Sequence, residues 1–114
     1  MCEQMAGRFL TDFEFMIMLA VLRLRDDAYG VTIAREIEQT TGRGVTLAAV
    51  YLALERLQHQ RLVASTLGEA TPERGGRAKK YFRVTPDGLR AVRNTQRAFA
   101  ALAKGIPELK GAAI

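Results

Sequence analysis

TLAAVYLALERLQHQR, Thr46 to Arg61, has the period of one amphipathic helix. Leu47, Val50, Leu54 and Leu57 recur at steps of three and four, so they form one stripe, and Arg61 falls at its end. Ala48, Ala49, Leu52, Arg56 and His59 take the opposite side. Thr46 suits the N-cap, where its hydroxyl can accept from a free backbone N–H. Roughly fourteen residues at about 1.5 Å each make a rod of about 21 Å, short enough to lie in a DNA major groove. Two alanines keep its first turn thin, which lets the backbone approach a duplex closely. Alone, the stretch also reads as an ordinary core helix with a solvated face. Its neighbours in the chain decide between the two.

Upstream, Tyr29 to Thr41 predicts another helix, with Ile33, Ala34 and Ile37 on one face and Arg35, Glu36 and Glu38 on the other. Gly42 and Gly44 stop it, and Arg43-Gly44-Val45 turns the chain into Thr46. Two helices across a short glycine-containing turn are a helix-turn-helix pattern, weak by itself. Before them, Thr11 and Glu14 form a T-x-x-E capping box for a helix running to about Arg25. Its middle, Phe13 to Leu22, is apolar nearly all round, so more than one side is buried and one is available to a second subunit. Asp26 and Asp27 interrupt the pattern and suit the approach to the next helix N-terminus. Residues 1–10 are expected to be a loose arm.

Downstream of Arg61 the period becomes two. Leu62 to Leu67 and Ala78 to Val84 read as strands around a turn-rich tip, Gly68 to Arg77. Arg74, Arg77, Lys79, Lys80 and Arg83 put five cations and no anion between residues 74 and 83. Such a run repels itself unless a polyanion neutralises it. Glycine-flanked arginine suits a minor groove and lysines suit phosphates, although cations also keep an exposed hairpin soluble and guard its edge. Thr85-Pro86-Asp87 then starts a last helix. Leu89, Val92, Gln96, Phe99 and Ala103 make an a/d seam about two heptads long, and Leu102 lies beside it. Gly105 and Pro107 end the helix.

Charge follows the same division. Met1 to Gly42 carries 4 Lys+Arg and 7 Asp+Glu, whereas Arg43 to Ile114 carries 13 and 5, within an overall +5 and a pI of about 9.9. A localised positive field of this kind suits a polyanionic partner. In 114 residues with 48% hydrophobic content, one domain with one core is expected. Cys2 is the only cysteine, which excludes an internal disulfide and a multi-cysteine metal site. Neither a signal peptide nor a membrane-spanning run is evident, so a cytoplasmic protein without membrane contact is expected. His59, the single histidine, lies on the outer side of a helix, and no P-loop, G-x-S-x-G or metal-ligand spacing occurs. An enzyme is therefore not expected, nor a cofactor.

These readings converge on a mainly α protein with a small β-hairpin (α+β), a winged helix-turn-helix over 11–85. A C-terminal dimerisation helix, 86–106, and a tail, 107–114, follow. The chain resembles the PadR-like transcriptional regulators over about Phe13 to Leu102. The matching residues are Tyr29-Gly30 with Ile33 and Ile37, Val50 through Leu57, Leu62-Val63, Gly75-Gly76-Arg77, and Lys80 through Thr85 with Gly88. The resemblance implies a dimeric, repressor-type protein of the short subfamily, its third helix in the major groove and its wing on the neighbouring minor groove or backbone. It makes Tyr51 the tyrosine near the start of the recognition helix, with a hydroxyl able to reach a phosphate.

Three features depart from the family pattern. The usual Ser-Pro-Gly-Thr before the Leu-Tyr pair is Thr46-Leu47-Ala48-Ala49, the usual glycine near the helix end is Arg61, and the chain has no tryptophan. Some short members hold aromatic ligands between tryptophans at the dimer interface. The place of any small-molecule effector thus stays open. The expected DNA-binding residues are Thr46, Ala48, Ala49, Tyr51, Leu52, Arg56, His59, Arg74, Arg77, Lys79 and Lys80. The expected dimerisation residues are Phe13, Ile17, Leu89, Val92, Gln96, Phe99, Leu102 and Ala103. The leading expectation is a homodimer that binds a near-palindromic duplex and regulates transcription. The alternative is a winged helix used only for protein–protein contacts.

Overall fold

The computed structural model of the chain describes residues 8–68 and 78–110. Four helices and a two-stranded antiparallel hairpin follow in the order α1 (Asp12–Leu24), α2 (Gly30–Thr41), α3 (Leu47–His59), β1 (Val63–Leu67), β2 (Lys80–Val84) and α4 (Pro86–Ala103). Short 3-10 turns occupy Arg25–Asp27 and Pro107–Leu109. No described helix is long and apolar enough to cross a membrane.

The helix starts are set by local chemistry. Thr11 Oγ1 accepts from the Glu14 N–H at 3.2 Å while Glu14 Oε1 accepts from the Thr11 N–H at 2.9 Å, the reciprocal box expected. Thr46 and Thr85 cap α3 and α4 without the reciprocal half, their hydroxyls accepting from the Ala49 and Gly88 N–H groups. At α2, Thr32 works from inside the helix, its hydroxyl accepting from the Tyr29 N–H and donating to the Asp27 carbonyl at 2.6 Å. Asp26 and Asp27 lie in the 3-10 turn that precedes it. Gly42 ends α2 at φ 79°, a left-handed cap that suits glycine.

The core lies where α1, α2 and α3 meet the base of the hairpin. Ile17, Met18, Val21, Ile33, Ile37, Val50, Leu54, Leu57, Val63 and Phe82 are its main side chains. Two expectations shift. On α3 the inward stripe is Val50, Ala53, Leu54 and Leu57, whereas Leu47, at the first turn, is exposed. The arm is also shorter than expected. Leu10 is buried in the core, and its N–H donates to Thr95 Oγ1 of α4 at 3.0 Å.

Strand register pairs Val63 with Val84, Ser65 with Phe82 and Leu67 with Lys80. The Phe82 N–H donates to the Ala28 carbonyl at 2.8 Å, so the wing is also stitched to the segment before α2. Both strands are shorter than the expected spans, because the ladder runs only from the Val63–Val84 pair to the Leu67–Lys80 pair, with one further bond, Gly68 N–H to the Lys79 carbonyl.

On α4 the inward face is Gly88, Ala91, Val92 and Thr95. Two of the expected dimerisation residues, Ile17 and Val92, are thus placed inside the core of a single chain. Phe13, Leu89 and Ala103 are half-buried, and Gln96, Phe99 and Leu102 are exposed. Phe99 meets Phe15 of α1 edge-on at 6.0 Å. Beyond Thr95, α4 contributes no buried residue to the core.

Candidate nucleic-acid interface

α2, the turn from Gly42 and α3 form the helix-turn-helix. Four buried positions, Val50, Ala53, Leu54 and Leu57, hold α3 by one side, which leaves Ala48, Leu52, Arg56 and His59 exposed on the other. Ala49 is half-buried. Thr46 is exposed, with its hydroxyl oxygen already accepting as the cap. Leu52 is 57% exposed, too open for a core role. The second half of the helix borders an open concavity of about 860 Å³ shared by Arg56, His59 and Arg61.

The wing is tied to this helix directly. Gln58 Nε2 donates to Ser65 Oγ at 3.0 Å. Ser65 shares its side of the hairpin with Phe82, Leu67 and Lys80, since paired residues point the same way and alternate residues lie together. Lys80 therefore stands on the side of the wing that faces α3. Lys79, Tyr81 and Arg83 take the other side. There Lys79 Nζ lies 4.0 Å from the Tyr29 ring centroid, and Tyr29 meets Tyr81 edge-on at 5.4 Å. Arg83 borders a surface hollow with Asp26 and Asp27. Strand alternation thus splits a run of like charge: Lys80 lies on the Ser65 side, its Nζ 5.9 Å from the Phe82 ring centroid, and Lys79 is held on the other side by the Tyr29 ring. Arg74 and Arg77 lie outside the described residues.

Three features of this region were not anticipated from the sequence. Arg61 sits at φ 66°, a left-handed conformation unusual for arginine, where its N–H donates to Gln58 and its carbonyl accepts from the Thr85 hydroxyl at 2.8 Å. The family comparison, with glycine at this position, was the signal for it. Arg8 Nη2 donates to Gln60 Oε1 at 3.1 Å, adding a cation to the same end of α3. Tyr51 leans over Gly30, the first residue of α2. Not every cation behind Gly42 is free, however. Arg43 lies 5.4 Å from the Phe13 ring centroid and pairs with Asp12 at 3.3 Å, tying the turn to α1.

Away from this surface, Glu36 in the α1–α2 groove is held below the usual carboxylate range, chiefly by the Arg23 hydrogen bond at 2.8 Å and then by Thr40.

Comparison with known proteins gives one family. The model described as the transcriptional regulator PadR-like family matches residues 18–94. No curated protein sequence matches. Among solved structures, a PadR-like transcriptional regulator from Bacillus cereus is 19% identical, with 87% of this chain and 91% of that one covered at a TM-score of 0.70. A PadR family transcriptional regulator from Eggerthella lenta is 26% identical over 96% and 88%, at 0.66. A PadR family transcription regulator from Clostridium difficile is 20% identical over 87% and 99%, at 0.68.

Proposed function

The chain belongs to the PadR-like family of transcriptional regulators, and from that footing we propose that it binds duplex DNA sequence-specifically as a homodimer and represses transcription from a near-palindromic operator. The observation that carries this reading is the outer face of α3. Ala48, Leu52, Arg56 and His59 are exposed on a helix whose other face is locked in the core. The Gln58–Ser65 bond sets the wing, with Lys80 on the near side, against it. A slim, cation-bearing helix beside a cationic hairpin has the shape and charge for a groove and its phosphates. Direct readout falls to Arg56, His59 and Thr46, and phosphate contact to Tyr51 and the wing. Two copies related by a twofold would read half-sites about 34 Å apart. The exposed half of α4, with Phe99 and Leu102, is the pairing surface.

The test is a salt titration of binding to selected and to random duplexes. If each dimer makes roughly 6–10 phosphate contacts, affinity falls about 10³–10⁵-fold between 50 and 200 mM salt. Arg56→Ala relaxes sequence preference. Arg77→Ala with Lys80→Ala weakens binding to all sequences and flattens the salt slope. A protein with no preferred site and no steep salt dependence would instead be a winged helix for protein contacts.

A further inference from the structure

We propose that Gly30 is a positioning residue for DNA binding: the absence of a side chain at the first position of α2 is what lets Tyr51 of the recognition helix lie where it does. The inference rests on the reading above in one respect, that the Tyr51 hydroxyl meets a phosphate.

A Cβ at residue 30 would stand 2.5 Å from the Tyr51 hydroxyl oxygen and 2.8 Å from Cε1, closer than real contacts allow. Backbone conformation does not demand glycine here. Gly30 is in regular helix and is not among the positive-φ residues. The three atoms nearest to such a Cβ all belong to the Tyr51 phenol, so its close approach is the steric reason for glycine here. The ring is not locked in a core, for Tyr51 is 45% exposed, and its hydroxyl has no hydrogen-bond partner among the described residues. With any larger residue at position 30, the phenol would swing away and the fold would lose little. The same turn also seats the wing, because the neighbouring Tyr29 carries Tyr81 and Lys79. Residues 29 and 30 thus fix the lateral position of both DNA-facing elements.

The experiment is a double-mutant cycle of Gly30→Ala and Tyr51→Phe on the full chain, read by fluorescence anisotropy with a labelled random duplex of about 30 base pairs at 50 mM salt. A hydrogen bond to a charged partner is expected to be worth about tenfold per subunit. G30A and Y51F each lose that factor, the double variant loses no more than either, and the salt slope is unchanged because neither substitution removes a cationic side chain. Ring-labelled tyrosine NMR of G30A shows the Tyr51 signals moved and those of Tyr81 in place. If Y51F weakens binding and G30A does not, the positioning role is overturned while the DNA contact stands. Fully additive losses also overturn it, since Gly30 would then act by another route. No loss in Y51F overturns both. Should G30A fail to fold, Tyr51→Ala is added to it: recovery of the fold upholds the contact, and continued misfolding overturns it.

Discussion

Gly88→Ala tests how α4 is anchored. Gly88 is buried in the first turn of α4, and a methyl group there would overlap the Leu62 carbonyl oxygen, standing 2.9 Å from Met18 Cε and 3.0 Å from the Leu62 carbonyl carbon. The obstacle is backbone, so no side chain can rotate away. To reach ordinary contact the start of α4 would have to retreat by on the order of 1 Å. That movement stretches two bonds made by the cap residue, Thr85 N–H to the Leu62 carbonyl at 3.0 Å and Thr85 Oγ1 to the Arg61 carbonyl at 2.8 Å. Overpacking costs about 1–3 kcal/mol, and two weakened hydrogen bonds cost about 1 kcal/mol each. The better helix propensity of alanine returns up to about 1 kcal/mol. The net loss is about 2–4 kcal/mol, a fall in Tm of roughly 10–25 °C for a domain of this size. Circular dichroism melts of both proteins at one protomer concentration measure it, since association would otherwise shift the midpoint. A fall of less than about 4 °C would refute the reasoning, because α4 would then be free to shift on the hairpin base.

Arg61→Gly relieves a left-handed residue and should raise Tm by a few degrees, the strain of about 1–2 kcal/mol being partly offset by about 0.5–1 kcal/mol of glycine entropy. Phe99→Ser with Leu102→Ser should convert the proposed dimer to a folded monomer in light scattering, with helical circular dichroism retained, as both side chains are exposed in the single chain. Glu36 has a lowered pKa, so its contribution to stability is complete above the ordinary carboxylate range and is lost as pH falls through the lowered value. Glu36→Gln should therefore lower Tm slightly at neutral pH, converge with the parent protein at acid pH, and so flatten the Tm-against-pH curve between them.

What was legible in the sequence was local. Thr11 with Glu14, Thr46, and Thr85-Pro86 announce helix starts because the capping chemistry lies within four residues. The alternation from Tyr81 to Val84 gives the strand, and Phe82 is indeed its buried residue. Contacts between distant segments were not legible. Nothing near Leu10 shows that its N–H will reach Thr95, 85 residues away. Nothing near Lys79 shows that Tyr29 will carry it. On α4 the inward face differs from the expected a/d seam for a related reason. Large apolar residues define a seam to the eye, but this helix packs inward through Gly88, Ala91 and Thr95, whose small size allows close approach. Tyr51 over Gly30 is of the same kind, a glycine explained only by a side chain 21 positions later.

The energetics of pairing decide how much of the subunit the proposed dimer must use. Phe99, Leu102, Ile106 and Leu109 are 57, 78, 40 and 47% exposed. Covering what remains open yields about 1 kcal/mol per side chain, or on the order of 8 kcal/mol from four on each of two subunits. Association costs roughly 4–15 kcal/mol before any side chain is ordered, so the end of α4 and the 3-10 turn alone leave little surplus. The apolar residues that the fold leaves open elsewhere include Phe9, before α1, and Leu19 and Leu22 on α1. Adding them brings the gross gain to on the order of 14 kcal/mol. A dimer stable at low protein concentration therefore has to draw on α1 as well as α4. That requirement gives a reason for an α1 apolar nearly all round, when only Ile17, Met18, Ala20 and Val21 are fully buried by its own chain.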